Sequence, residues 1–133
     1  MPEPRASHTI LVVDCDEAAR TSVCRTLQES GYAAVSARHA GEMHWYGGGL
    51  LRPDLVIAGV DESPSADYHL GLALDEFRSY APVITMSPFD RRECVARGLV
   101  DSRAPYLRKP CPPAALVRAV RATLARWRPP RLD

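Results

Sequence analysis

Four apolar runs in this chain end in residues whose types could handle a phosphoryl group. Asp14, Cys15 and Asp16 follow the run at residues 10–13. Gly59 closes Leu55–Gly59, Ser87 follows residues 83–86, and Lys109 follows residues 106–108. A carboxylate so placed can attack a phosphoryl donor, and grouped carboxylates can hold Mg²⁺ through hard oxygen ligands. A lysine can pair with a phosphoryl oxygen as a compact point charge. Gly59 can do none of this, because it has no carboxylate. Cys15 is a soft donor and a poor ligand for Mg²⁺. Lys109 therefore needs another counter-charge, and Asp14 is the natural one, since an unpaired buried charge costs several kcal/mol, on the order of 3–5.

The elements that must bring these residues together are legible in the hydrophobic pattern. Thr9–Val13 is a continuous apolar run, as expected for a strand buried on both faces. A helix is expected over residues 17–30, with Ala19, Val23 and Leu27 on one face, Asp16 as N-cap and Gly31 just past the end. A second strand covers residues 32–37. The next helix, over residues 40–51, is expected to be short, because Gly47, Gly48 and Gly49 each cost about 1 kcal/mol relative to alanine. A third strand at Leu55–Gly59, a third helix at 68–79, a fourth strand at 83–86 and a short helix at 90–97 capped by Asp90 follow. A fifth strand covers residues 105–108. The last helix covers residues 113–127, with Pro113 tolerated in its first turn and Leu116, Val120, Leu124 and Trp127 as its core stripe. Pro129 and Pro130 stop it.

Strands alternating with helices imply an α/β fold with a parallel sheet covered on both faces in three layers. The 133 residues suit one domain, 9–128, with an arm at 1–8 and a proline-arginine tail at 129–133 that could lead into an effector region or end the chain. The formal net charge is +1, so there is no global pull toward nucleic acid or membrane. The charge is uneven: after Asp101 the only acid is Asp133, against eight lysines and arginines. Cys15, Cys24, Cys94 and Cys111 show no metal or redox spacing, and His8, His39, His44 and His69 are too dispersed for a metal site. With no secretory leader or membrane span, the chain reads as cytoplasmic with free thiols.

In order and spacing, the runs ending at Asp14, Gly59, Ser87 and Lys109-Pro110 resemble the bacterial response-regulator receiver domain over nearly the whole chain. The resemblance implies a flavodoxin-like, doubly wound five-stranded parallel sheet of order 2-1-3-4-5. Pro105, which lacks a ladder donor, agrees with an edge position for the fifth strand. In such sheets the site lies at the carboxyl ends of the strands, by the switch point. The resemblance further implies that Gly59 stands at the phosphoacceptor position and Cys15 at the second acid of the acidic pair. Asp14, Asp16, Ser87 and Lys109 are then the remnant pocket, and Tyr106 the switch aromatic. With two pocket carboxylates missing, Mg²⁺ binding is expected to be weak or absent. The chain reads as a degenerate, phosphorylation-independent receiver: a protein-interaction module of two-component signalling without catalysis of its own.

Competing expectations accompany that reading. Asp61 or Asp16 could act as a non-standard acceptor, although Asp61 lies roughly 6–7 Å further along an extended chain than Gly59. The domain could regulate a DNA-binding transcription factor, with nucleic acid contacted only through a separate effector region. Cys15 is either a small buried residue filling the space a carboxylate left or a reactive thiol near Lys109. Pro88 restricts Ser87 to extended conformations, and residues 99–105 replace the short turn that usually precedes the switch aromatic. Phe89 reads as packing. The expected interaction surface, for a signalling partner or a homodimer, is the face of the fourth helix, fifth strand and fifth helix, bearing Arg91, Arg92, Arg97, Arg103, Arg118 and Arg121. The alternative is a solvated basic face. Trp45 and Tyr46 are a second candidate anchor.

Overall fold

The computed structural model describes residues 8–47, 52–60, 64–97, 100 and 103–129, with the side chains of 44–47 and 64–68 outside that description. Five strands, β1 (Thr9–Val13), β2 (Ala33–Ala37), β3 (Leu55–Gly59), β4 (Val83–Ser87) and β5 (Tyr106–Arg108), form one sheet of order β2-β1-β3-β4-β5. All four pairings are parallel. Five helices connect or follow them: α1 (Glu17–Glu29), α2 (Ala40–Gly47), α3 (Pro64–Phe77), α4 (Arg91–Ala96) and α5 (Pro113–Arg126).

The alternation of side chains along each strand divides the core into two. Ile10, Val12, Leu55, Ile57, Ile84 and Met86 point to one face and pack against Val23 and Leu27 of α1 and Leu116 and Val120 of α5. Leu11, Val13, Val56, Ala58 and Val83 point to the other, where Met43 of α2 and Leu70, Leu74 and Phe77 of α3 cover them. A parallel sheet buried in this way needs strands that are apolar at successive positions, and β3 and β4 are buried at every residue.

The helix ends follow expectation closely. The Asp16 side chain accepts from the Ala18 N–H at 3.1 Å, and the Asp90 side chain from the Glu93 N–H at 2.9 Å. Gly31 takes a φ of 95°, a left-handed conformation that favours glycine after a helix. Most other boundaries shift by a residue or two, and three differences have a physical reason. α3 begins at Pro64, a turn before the expected residue 68, because proline suits a first helical turn. The fifth strand excludes Pro105, whose carbonyl still accepts from the Thr85 N–H at 3.3 Å. α2 stops at Gly47, where the glycines begin.

Phe77 is fully buried beneath α3. Phe77→Ala is expected to lower unfolding free energy by about 3–5 kcal/mol, read from urea unfolding. A loss below 1 kcal/mol would show that α3 does not seal this layer.

Candidate functional site

The carboxyl ends of β1, β3 and β5 meet at Asp14, Gly59 and Lys109. The register pairs Ile10 with Leu55 and Val12 with Ile57, so the next in-phase positions, Asp14 and Gly59, lie side by side on the same face. Here the absence of a side chain at residue 59 has a direct consequence. A Cβ built on Gly59 would collide with the Asp14 carboxylate, its Cγ and Oδ2 first, with the Asp14 Cβ only 3.1 Å away. Asp14 thus leans into the space that any other residue at position 59 would occupy.

From there its carboxylate is fully engaged. Lys109 Nζ donates to Oδ2 at 2.7 Å and the Asp16 N–H donates to Oδ1 at 2.9 Å. Asp14 is 5% exposed, and Lys109 is mostly buried beside it. The Arg20 guanidinium donates to the Asp14 carbonyl at 2.8 Å, tying α1 to the end of β1. The expected ion pair between the first and fifth strands is therefore present. Cys15 does not fill the vacated space. It is exposed, and Asp14 takes that volume instead.

These donors do not fit Mg²⁺. Asp14 is committed to Lys109 and a backbone N–H, Asp16 is used as the α1 cap, residue 15 offers a thiol, and residue 59 offers no oxygen. Among the described residues, no three His, Cys, Asp or Glu side chains are placed to hold a metal ion.

Ser87 is completely buried at the end of β4, and its hydroxyl looks toward α4. Its oxygen accepts from the Phe89 N–H at 2.9 Å and from the Cys94 thiol at 3.2 Å. Its carbonyl accepts from the Lys109 N–H at 2.8 Å, so the serine is backbone-linked to the lysine while its side chain faces elsewhere. Tyr106 turns inward beside this pair. Its hydroxyl is buried without a well-formed hydrogen bond, and burial pushes its pKa up, with the neighbouring Cys94 adding to the shift and Ser87 opposing it. Cys94 was not singled out by sequence reasoning. Its seven-residue separation from Ser87 acquires meaning only once α4 folds back over the end of β4.

The basic surface is divided. Arg91 donates to the Ala104 carbonyl at 2.7 Å and lies 5.4 Å from the centre of the Tyr106 ring. Arg97 stacks 4.0 Å above Phe89 and pairs with Glu93 at 2.8 Å. Phe89 is thus a platform for that guanidinium as well as packing. Arg92 and Arg103 are exposed in the same stretch of chain. Arg118 and Arg121 do not join them: they line a groove between α1 and α5 with Thr26 and Glu29. That corrects the expectation of one six-arginine face. The phase of α5 that buries Leu116 and Val120 turns these two residues toward the α1 side. Asp61 lies outside the described residues, as do the side chains of Trp45 and Tyr46.

The same architecture occurs in solved structures. A signal receiver domain of a histidine kinase from Syntrophus aciditrophicus matches with TM-score 0.72 and 26% identity, covering 96% of this chain and 99% of that one. A two-component response regulator from Clostridium difficile matches with TM-score 0.73 and 20% identity, covering 90% and 98%. A CheY-like receiver domain from Methanospirillum hungatei matches with TM-score 0.71 and 24% identity, covering 89% and 94%. The fold is that of a response-regulator receiver domain. The transcriptional regulatory protein PdtaR of Mycobacterium tuberculosis is 26% identical over 119 residues, or 90% of this chain. The chain spans 58% of that relative's length. No family model matches the chain. Among the described residues, no helix is long and apolar enough to cross a membrane.

Two measurements probe the site. Gly59→Ala is expected to destabilise the domain by about 1–3 kcal/mol through overpacking against Asp14, and the loss should shrink when Asp14→Ala is present. Equal costs in both backgrounds, by urea unfolding, would refute the steric coupling. In timed alkylation at pH 8, Cys15 should react first because it is exposed. Burial raises the pKa of Cys24 and Cys111, leaving less thiolate at that pH, so both should lag. Buried Cys94 should react only on unfolding. Fast labelling of Cys94 in the folded protein would contradict the packing of α4.

Proposed function

We propose that this receiver domain works without phosphorylation, as a protein-interaction module of two-component signalling. One observation carries the reading: at Gly59, where the resemblance places the acceptor, the neighbouring Asp14 carboxylate occupies the side-chain space while neutralising Lys109. A phosphoryl group entering here would find no nucleophile at residue 59 and a lysine already paired. The poor fit of the donor set to Mg²⁺ supports the same conclusion, since the ion would otherwise neutralise phosphoryl oxygens. On this reading the domain is not an enzyme and needs no cofactor.

Its function then lies in docking. The surface offered is that of α4 and β5, where Arg91, Arg92, Arg97 and Arg103 are exposed and two guanidiniums are fixed over aromatic rings. Stacked arginines lose less side-chain freedom on binding than free ones, and arginine is favoured at interface centres. The partner is a signalling protein or a second copy of the chain. A second reading has one observation in its favour: PdtaR is named a transcriptional regulatory protein and is longer than the matched region. The domain would then regulate an effector region, and any nucleic-acid contact would belong to that region.

Treatment with acetyl phosphate and Mg²⁺, and separately with a phosphorylated histidine kinase, should leave the intact mass unchanged. A stable gain of one phosphoryl group, mapped to Asp14, Asp16 or Asp61, would end the phosphorylation-independent reading.

A further inference from the structure

A second feature of the same end of the sheet has no role in the reading above. Beside Gly59, on the α2–α3 side, lies a cleft of about 280 Å³. Its walls are mainly apolar: Val13 from β1, Ala40 and Gly41 from α2, Gly59 from β3 and Leu70 from α3. Two of these are glycines, and in both the space beside the missing Cβ is already taken, by the Asp14 carboxylate at Gly59 and by the His39 ring at Gly41. At Gly41 the missing Cβ has a neighbour already in place, since it would lie 3.1 Å from atoms of the His39 ring. The imidazole therefore folds over α2 at the wall of the cleft. His69 from α3 also lines it, so two of the scattered histidines are brought to one cavity by the fold.

Charge decides what such a cleft can hold. Asp14 lines it, but its carboxylate is paired with Lys109 at 2.7 Å. Arg38 lines it, but its guanidinium is held by Glu42 through two hydrogen bonds, at 2.9 and 2.7 Å. Each carboxylate or guanidinium on the wall thus has its counter-charge within the protein. A charged ligand would be desolvated against apolar walls without gaining a partner, which is costly. The volume lies just below the usual range of ligand cavities, about 300–1,000 Å³, and those cavities are also mostly apolar with a few polar groups that fix orientation.

We propose that this cleft binds an uncharged, mostly apolar small molecule, oriented by a hydrogen bond to the imidazole of His39 or His69. The ligand would lie between α2 and α3 against Gly59, and would bridge the end of β3 to the helices that cover it. The site does not require the phosphorylation-independent reading. It needs only the apolar walls, the paired charges and the two histidines.

The test is a titration of the ¹⁵N-labelled full chain with three probes of one shape: indole, indole-3-acetate and tryptamine. Indole should give saturable amide shifts at Gly41, Gly59 and Leu70. The anionic and cationic probes should bind at least about tenfold more weakly, the weight of one uncompensated polar interaction. His39 and His69 are both exposed, so His39→Ala with His69→Ala should fold, as an unchanged spectrum away from the cleft would verify. That double variant should lose about tenfold in indole affinity. Shifts that do not saturate or fall elsewhere would overturn the proposal, as would equal or tighter binding of a charged probe, or unchanged affinity in the variant. A phosphoryl adduct in the mass experiment would leave this result standing, and a failed titration would leave the glycine at the acceptor position untouched.

Discussion

The rest of the site depends on a single contact, the ion pair between Asp14 and Lys109 across the carboxyl ends of β1 and β5. Both groups are largely out of solvent, where an unpaired charge is expensive. The two strands are not neighbours: β3 and β4 lie between them in the sheet. The pair therefore closes over the end of the sheet, past the small residue at the end of β3. Glycine at position 59 leaves room for the carboxylate as it is placed here, since a Cβ there would meet it.

Parallel register is what makes this contact specific. β1 and β3 run in phase, so the side chain at 14 and the backbone at 59 approach each other on one face while Val13 and Ala58 serve the opposite core. A slip of one residue would reverse every assignment in both cores, which is why the buried strands fix the register firmly. The site inherits its precision from that constraint and from Arg20, which joins α1 to the Asp14 carbonyl.

Much of this was legible beforehand. The continuous apolar strands, the Asp16 and Asp90 caps and Gly31 follow from residue type and spacing, because each is decided locally, whereas the Asp14–Lys109 pairing follows from the pocket that the resemblance implies. The resemblance supplied the sheet order. What sequence could not give was direction. Nothing in residue 15 says which way its side chain turns, and of the two readings left open for Cys15 its exposure removes the buried filler. The β1–β3 register sets Asp14 beside Gly59, but only once the pairing is known. Arg118 and Arg121 failed for a related reason: periodicity identifies the buried stripe of α5, but not which neighbouring helix lies on either flank. The Ser87–Cys94 bond and the His39–His69 cleft needed tertiary placement of α4, α2 and α3.

The inward cluster behind β4 and β5 gives the docking reading its physical content. Ser87 is joined to Lys109 by a backbone hydrogen bond and to Cys94 of α4 by its side chain, and Tyr106 packs beneath Arg91 beside them. In a receiver that responds to phosphate, a ligand can shift such a cluster only by the difference in its affinity for two arrangements. Here the lysine already has its counter-charge in Asp14, and the serine hydroxyl already accepts two hydrogen bonds. Displacing either group would leave a buried polar partner unsatisfied, at a cost of about 1–3 kcal/mol each. With no phosphoryl group to repay that cost, the proposed phosphorylation-independent domain presents one α4–β5 surface. On that reading, the surface itself and the proposed cleft beside Gly59 are the places where control would act.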